Sequence, residues 1–168
     1  MARFTDKVVI ITGGASGLGL SAAQRLANEE ANLVLVDLKE EALNQAAAKL
    51  RGSAKTITIP ADVSDPRQVA SYVSKTVDAF GRIDGFFNNA GIEGRQNLTE
   101  EFGNDEFAKI VGINLSGVFY GMAEVLKIMR RQGSGSVVNT ASVGGIKGRR
   151  QAIGLRCQQA WRCRPDTQ

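Results

Sequence analysis

A short apolar run that leads directly into a cluster of glycines constrains the fold of this chain more than any other feature. Residues 7–12 (KVVIIT) are rich in β-branched side chains and predict a buried strand, and residues 12–19 read TGGASGLG. A helix is predicted immediately afterwards, over residues 18–30. Its apolar face is expected to hold Leu18, Ala22, Leu26 and Ala27.

Strand and helix patterns then alternate up to about residue 140. Further strands are predicted at residues 32–37, 55–60, 83–88 and 135–140, and the alternating third strand is expected to be more exposed than the others. Helices are predicted at residues 39–50 and 66–80 and, as a short helix running into a long one, at 105–131. This alternation predicts an α/β fold: a Rossmann-type doubly wound parallel sheet with strand order 3-2-1-4-5.

The glycine cluster has the context of a dinucleotide-binding turn. Gly13 allows a sharp turn, while Gly17 and Gly19 remove side chains where a pyrophosphate and the neighbouring strand come close. The N-terminus of the following helix offers N–H groups and a positive dipole end to phosphates. A plain glycine-rich turn is the alternative, but the flanking strand and helix favour phosphate binding. The residues expected to hold the pyrophosphate are Gly13, Ser16, Gly17, Leu18 and Gly19.

An acidic residue closes the second predicted strand. Asp37 lies 18 residues after Gly19, where a carboxylate can accept hydrogen bonds from both ribose hydroxyls of an adenosine. The same carboxylate would repel a 2′-phosphate, so we predict NAD(H) rather than NADP(H) as the cofactor. Two alternatives weaken this prediction: Asp37 could be a solvated strand-end residue, and Lys39 could soften the discrimination.

Composition excludes several classes of chemistry. The chain has no histidine, which excludes a His-based catalytic triad and a histidine-ligated zinc site, and we predict no metal. Two cysteines cannot form a disulfide framework. Apolar runs stay well short of the roughly 20 residues that a membrane helix needs, and residues 1–6 lack an apolar leader. We therefore expect no membrane partner and a cytoplasmic location.

The net charge of +4 is concentrated at the C-terminal end. Up to Ile146 there are 15 basic and 16 acidic residues, whereas six basic residues and one acidic residue follow from Lys147 on. Cys157, Trp161 and Cys163 lie in the same stretch. A nucleic-acid-binding tail is one interpretation, but a single tryptophan and no binding module argue against it. We expect no nucleic-acid partner.

Five motifs, in order, carry a family resemblance over residues 5–148. The glycine turn resembles the TGxxxGxG turn of the short-chain dehydrogenases/reductases. Asp62 and Val63 resemble the family's adenine-contacting pair, and residues 88–91 (NNAG) its motif after the fourth strand. Asn114 matches its helix-interrupting catalytic asparagine, and Ser142 its catalytic serine. Residues 81–94 and 137–148 further resemble the levodione reductase group, which are NAD-linked reductases of cyclic ketones.

The resemblance implies an oxidoreductase that transfers a hydride between NAD(H) and a secondary alcohol or ketone, cyclic ketones included. It implies that Asn89 and Gly91 lie beside the nicotinamide ribose, that Ser142 orients the substrate oxygen and that Asn114 holds a water in the proton path. It also implies a small-molecule partner, a homotetrameric parent enzyme and a sheet that is truncated here before its last strands. Singly, each residue has a structural alternative, such as a turn former, a strand-end cap or a bond inside a helix.

The proton donor of the family is missing from the sequence. The resemblance places a tyrosine 13 residues after Ser142 and a lysine four residues later, but these positions are Leu155 and Gln159. No tyrosine or lysine follows Lys147. The alternative function is therefore a catalytically dead dinucleotide-binding fragment without the Tyr and Lys of the active site.

A frameshift explains both the missing pair and the change in charge. Read from the second base of each codon, residues 154–161 permit Gly-Tyr-Ala-Ala-Ser-Lys-His-Gly, with tyrosine and lysine at the family spacing. We thus expect an NAD-binding domain over residues 1–148 and an out-of-frame, poorly ordered basic tail over 149–168. A genuine basic tail with an unrelated role is the alternative.

Overall fold

Five parallel strands form one sheet in the order 3-2-1-4-5, which confirms the predicted fold class and strand order. The computed structural model describes residues 2–50, 55–95 and 98–142. The strands are β1 (Val8–Thr12), β2 (Asn32–Asp37), β3 (Thr56–Pro60), β4 (Gly85–Asn88) and β5 (Ser136–Asn139). The helices are α1 (Gly17–Ala27), α2 (Glu40–Ala47), α3 (Pro66–Phe80), α4 (Asn104–Val111) and α5 (Gly117–Gln132), with a 3₁₀ turn at Thr99–Glu101.

The predicted domain boundary at residue 148 and the predicted tail of residues 149–168 lie outside the described residues, as do Leu155 and Gln159.

The central strands of the sheet are buried on both faces, and their alternate residues pack in two different cores. Ile10, Val34 and Phe86 belong to the core that includes buried residues of α3 and α5. Ile11 and Leu33 belong to the opposite core, formed with α1 and α2. All five residues of β1 are buried, as expected for a central parallel strand covered on two sides.

The core face of α1 differs from the prediction. Leu18 is 69% exposed, and the buried residues of the helix are Gly19, Ala23 and Ala27. Such a row of small residues at a spacing of four lets a helix lie close to the sheet. The prediction was wrong for Leu18, because its large side chain points away from the sheet at the first turn, and right for Ala27.

The outer strands are more exposed than the central ones. In β3 only Ile59 is buried, which confirms the exposure predicted for the third strand. In β5, Val138 is 56% exposed. The central strands, β1 and β2, therefore hold most of the buried sheet residues.

The long helical region predicted over residues 105–131 is interrupted. A five-residue π-helical turn, Gly112–Ser116, separates α4 from α5. Asn114 lies within it and is only 5% exposed. Such π-turns inside α-helices occur frequently at functional sites.

Candidate functional site

A cleft of about 760 Å³ lies at the carboxyl ends of the strands. Parallel α/β sheets bind ligands at this edge, where the strand order changes direction. All of the predicted site residues except Gly19 line it: Gly13, Ser16, Gly17, Leu18, Asp37, Asp62, Val63, Asn89, Gly91, Asn114 and Ser142. The cleft is also lined by residues that sequence reasoning did not single out, among them Leu38, Ile92, Glu93, Lys109, Ile113 and Thr140.

The glycine turn is closely packed at one position and open at another. A Cβ on Gly19 would lie 2.1 Å from the carbonyl oxygen of Gly13, so this glycine serves the packing of the turn rather than the lining of the cleft. Gly13 and Gly17 have positive φ angles of 67° and 52°, which favour glycine. A Cβ on Gly17 would meet no heavy atom within 4 Å among the residues that the structure describes. Gly17 therefore presents main chain to open space.

Hydrogen bonds from β2 hold this turn in place. The N–H of Gly14 donates to the carbonyl of Val36 (3.1 Å). The N–H of Ala15 donates to Oδ2 of Asp37 (3.1 Å), while Oδ1 of Asp37 accepts from the N–H of Leu38 (2.8 Å). Asp37 thus lines the cleft and also supports the glycine turn.

Asp62 and Val63 follow β3, and both line the cleft. Oδ1 of Asp62 accepts from both the N–H (2.8 Å) and the hydroxyl (2.6 Å) of Ser64, which makes this residue a turn former as well as a lining residue. Val63 is 8% exposed. A Cβ on Gly117 would lie 2.8 Å from the carbonyl oxygen of Val63, so α5 begins in close contact with this turn.

One threonine joins the ends of β1 and β4. The hydroxyl oxygen of Thr12 accepts from the N–H groups of Asn89 (2.9 Å) and Ala90 (3.0 Å). The Asn89 amide in turn donates to the carbonyl of Thr12 (3.1 Å) and accepts from the hydroxyl of Thr140 (2.9 Å). Sequence reasoning missed these roles of Thr12 and Thr140, and the position of each at the end of a strand was the only available signal.

Asn88, the first residue of the NNAG motif, is structural. It is 3% exposed, and its amide donates to the carbonyl of Val118 (3.0 Å) and to Oδ1 of Asn139 (3.1 Å). It therefore connects β4 with both α5 and β5.

Asn114 braces the loop that follows β4. Its Oδ1 accepts from the N–H of Ile92 (2.9 Å), and its Nδ2 donates to the carbonyl of the same residue (2.8 Å). A Cβ on Gly91 would lie 3.2 Å from Oδ1 of Asn114. The π-turn and the NNAG loop are thus brought together at the cleft.

Ser142 lies at the far end of the cleft from Asp37 along the strand order. It is half-buried and follows β5 by three residues.

Four charged residues line the cleft within the described ranges, and they are Asp37, Asp62, Glu93 and Lys109. Only one of them is a cation.

The described part of the chain shows neither a cluster of metal ligands nor a helix that could span a membrane. No group of three or more His, Cys, Asp or Glu side chains is placed to hold a metal ion. Among the same residues, no helix combines the length and the apolar character that crossing a bilayer requires.

Comparison with known proteins decides the family. A family model described as short chain dehydrogenase matches residues 7–154. The chain belongs to the short-chain dehydrogenase family. This confirms the resemblance that the five motifs carried.

The chain is similar to several curated members of the short-chain dehydrogenase family. It is 61% identical over 149 residues to a levodione reductase from Leifsonia aquatica, and this match covers 87% of the chain and 56% of the relative. It is 34% identical over 147 residues to a cyclohexanol dehydrogenase from Acinetobacter sp. (strain SE19), covering 87% of the chain and 59% of the relative. The chain therefore spans a little over half the length of these relatives.

Solved structures of the family agree with the fold. The crystal structure of a levodione reductase superposes with a TM-score of 0.91 at 57% identity, covering 94% of the chain and 62% of that structure. An NAD⁺-bound xylitol dehydrogenase superposes with a TM-score of 0.88 at 34% identity, covering 94% and 61% respectively. These similarities confirm the predicted levodione reductase-like character of the chain.

Proposed function

We propose that this chain binds NAD(H) across its cleft, as the coenzyme-binding part of an oxidoreductase acting on a secondary alcohol or ketone. The observation that carries the proposal is the placement of an open glycine turn at the centre of a cleft that crosses the strand ends. This placement lets the main chain approach a diphosphate closely without a side chain between them.

The turn fits a dinucleotide pyrophosphate. Helix α1 begins at Gly17 and has no acidic residue in its first turn. Within the described residues, the Ser16 side chain makes no capping hydrogen bond to the helix. The first N–H groups of a helix lack partners inside it, and its dipole favours an anion there. Gly13, Ser16, Gly17 and Leu18 would hold the diphosphate, with Gly19 allowing the turn to close.

The adenosine half would lie over β2 and β3. Asp37 ends β2 and would accept the ribose hydroxyls, while Asp62 and Val63 lie at the end of β3 near the adenine. Leu38 is 65% exposed beside Asp37 and offers an apolar surface to a base. The carboxylate of Asp37 supports NAD(H) over NADP(H), since a 2′-phosphate would be repelled. Two relatives, the xylitol dehydrogenase and a Burkholderia phymatum family member, were solved with NAD.

The nicotinamide half would lie over β4 and β5. The bound coenzyme supplies the carbon that gives or takes the hydride. Asn89 and Gly91 would flank the nicotinamide ribose, and the hydroxyl of Ser142 would orient the substrate oxygen. Both amide atoms of Asn114 bond Ile92, so its side chain would hold the cleft wall. Each amide atom can make a second hydrogen bond, so these contacts are compatible with the same side chain holding the water of a proton path.

The described cleft contains no tyrosine to move a proton. Tyr72 is 1% exposed in the core between α3 and α5, and burial, with a further contribution from Glu124, raises its pKa. A proton-transfer group needs the opposite shift, toward the working pH. This observation favours a second candidate function: a dinucleotide-binding fragment that is catalytically dead because Leu155 and Gln159 replace the tyrosine and lysine.

The names of two relatives support a substrate class for the parent enzyme. Levodione reductase and cyclohexanol dehydrogenase are named for cyclic compounds, and we propose cyclic ketones or alcohols as small-molecule substrates of the parent enzyme. We also propose a cytoplasmic homotetramer for that parent. The exposed Phe119 and Leu126 on α5 support an apolar contact between subunits.

Titration of the purified full chain with NADH, followed by nicotinamide fluorescence, tests the proposal. We expect saturable binding that is weaker for NADPH. Binding with reduction of cyclohexanone would favour the first function, and binding without turnover the second. A folded chain that binds neither coenzyme would contradict both. Sequencing the gene around codon 148 tests the frameshift, which predicts that an alternative frame encodes the tyrosine and lysine.

A further inference from the structure

The hydroxyl of Thr140, which follows the fifth strand, bonds the loop after the fourth strand at the cleft. Thr140 follows β5 directly, and its main-chain N–H donates to the carbonyl of Asn88 (3.1 Å). Its hydroxyl donates to Oδ1 of the next residue of that loop, Asn89 (2.9 Å). Both Thr140 and Asn89 are half-buried and line the cleft.

The carbonyl of Thr12 determines which way the Asn89 amide faces, and the hydroxyl of Thr140 then holds the amide oxygen. The carbonyl of Thr12 can only accept, so the NH₂ group of Asn89 must point toward it. The amide oxygen then faces Thr140, whose hydroxyl is able to donate. With both ends bonded, the plane of the amide is fixed at the lip of the cleft.

The sheet order gives this amide its position relative to a dinucleotide. The strand order is β3-β2-β1-β4-β5. With the adenosine over β2 and the diphosphate over β1, the nicotinamide riboside would lie over β4 and β5. Asn89 lies at the end of β4 on that side.

We propose that Thr140 is a positioning residue that fixes the Asn89 amide for recognition of the nicotinamide riboside half of the coenzyme. This rests on the proposed function. Thr140 acts through Asn89 and is not itself assigned a contact with the coenzyme. The glycine turn keeps its own supports, which are the bonds from Gly14 to Val36 and from Ala15 to Asp37, so the diphosphate site does not depend on Thr140.

The experiment compares two ligands on three full-length chains: wild type, Thr140→Val and Thr140→Ser. NADH probes the whole cleft, and ADP probes only the adenosine and diphosphate part. Valine keeps the branched shape and the main-chain bond but loses the hydroxyl, whereas serine keeps the hydroxyl. We expect Thr140→Val to weaken NADH binding by about 3- to 10-fold, the range of one neutral hydrogen bond, with ADP binding unchanged. Thr140→Ser should bind both ligands as the wild type does.

Three outcomes would overturn the proposal: NADH binding unchanged by Thr140→Val, NADH and ADP weakened in parallel, or Thr140→Ser behaving like Thr140→Val. ADP binding also serves as the test of folding. If Thr140→Val loses both ligands, Thr140→Ala decides between misfolding of the valine variant and the second outcome: an alanine variant that also loses both overturns the proposal, and one that binds ADP normally is judged by the other two criteria. Wild type that binds neither ligand would instead contradict the proposed function itself.

Discussion

The main-chain N–H of Ala15 donates a hydrogen bond to Oδ2 of Asp37 at 3.1 Å, across the top of the sheet. The acidic residue that would select the coenzyme therefore also supports the turn that would hold its diphosphate. Any substitution at Asp37 acts on both parts of the cleft.

Two replacements of Asp37 should separate the contribution of its charge to coenzyme binding from that of its hydrogen bonds. We expect Asp37→Ala to weaken NADH binding by about tenfold or more, because the ribose acceptor and the support of the turn are both lost. Asp37→Asn keeps an acceptor for Ala15 but removes the charge, so we expect a smaller loss and a reduced preference for NADH over NADPH. Fluorescence titration with both coenzymes measures this, and Asp78→Ala on the exposed surface of α3 is the control. An unchanged coenzyme preference in Asp37→Asn would contradict the assignment.

Gly19 should tolerate no side chain. A methyl group there would lie 2.1 Å from the Gly13 carbonyl oxygen, which is main chain and cannot move aside without opening the turn. We expect Gly19→Ala to abolish NADH binding and to lower the free energy of unfolding by about 1–3 kcal/mol, as overpacking does. Gly103→Ala is the matched control, since the site has a negative φ and no described heavy atom within 4 Å of the added Cβ. Equal behaviour of the two variants would refute the packing argument.

Asp84 should stabilise the start of the sheet. Its carboxylate accepts from the N–H of buried Val8 (3.0 Å) and pairs with Arg82 and Lys7. Asp84→Ala leaves that N–H without its partner, and we expect a loss of about 1–3 kcal/mol in the free energy of unfolding, measured by urea denaturation. Asp84→Asn keeps an acceptor and should lose less. The same loss in both variants would mean that the ion pairs, rather than the hydrogen bond, dominate.

Acid should destabilise the chain partly through Glu29. A hydrogen bond from Arg3 lowers the pKa of Glu29 from 4.5 to about 2. Burial acts in the opposite direction, and Arg25 lowers the pKa further. A lowered pKa contributes stability above the unfolded value, and this contribution is lost as the pH falls from about 4.5 toward 2.

Glu29→Gln removes this contribution. We therefore expect the stability difference between wild type and Glu29→Gln to shrink as the pH is lowered through that range. We also expect it to shrink at high salt, because the Arg3 side chain of the pair is 68% exposed. Urea denaturation at a series of pH values measures the difference. A difference that stays constant with pH would contradict the role of Glu29.

The sequence predicted the parallel sheet, the glycine turn and Asp37 from local patterns. The other residues of the cleft were predicted only from the family resemblance, and these are Asp62, Val63, Asn89, Gly91, Asn114 and Ser142. Apolar runs, glycine spacing and the position of Asp37 at a strand end all lie within one βαβ unit. The face of α1 was predicted less well, because the burial of Gly19 and Ala23 depends on how closely the helix approaches the sheet.

The bonds between Thr12, Asn89 and Thr140 were not predictable from local patterns. They join residues 51 to 78 positions apart, and no periodicity marks them. Asp62 shows the opposite problem, since the same residue serves as turn former and as cleft lining, and its sequence context does not separate the two roles.

The pairing of Asn114 with Ile92 has a consequence for the mobility of the neighbouring segment. By meeting both the N–H and the carbonyl of a single residue, the amide imitates one rung of a β-ladder and supplies Ile92 with the partner that an adjacent strand would give. Both main-chain groups of Ile92 are thereby held by the π-turn. We therefore expect insertions after Ile92 to leave Gly91 and the floor of the cleft in place.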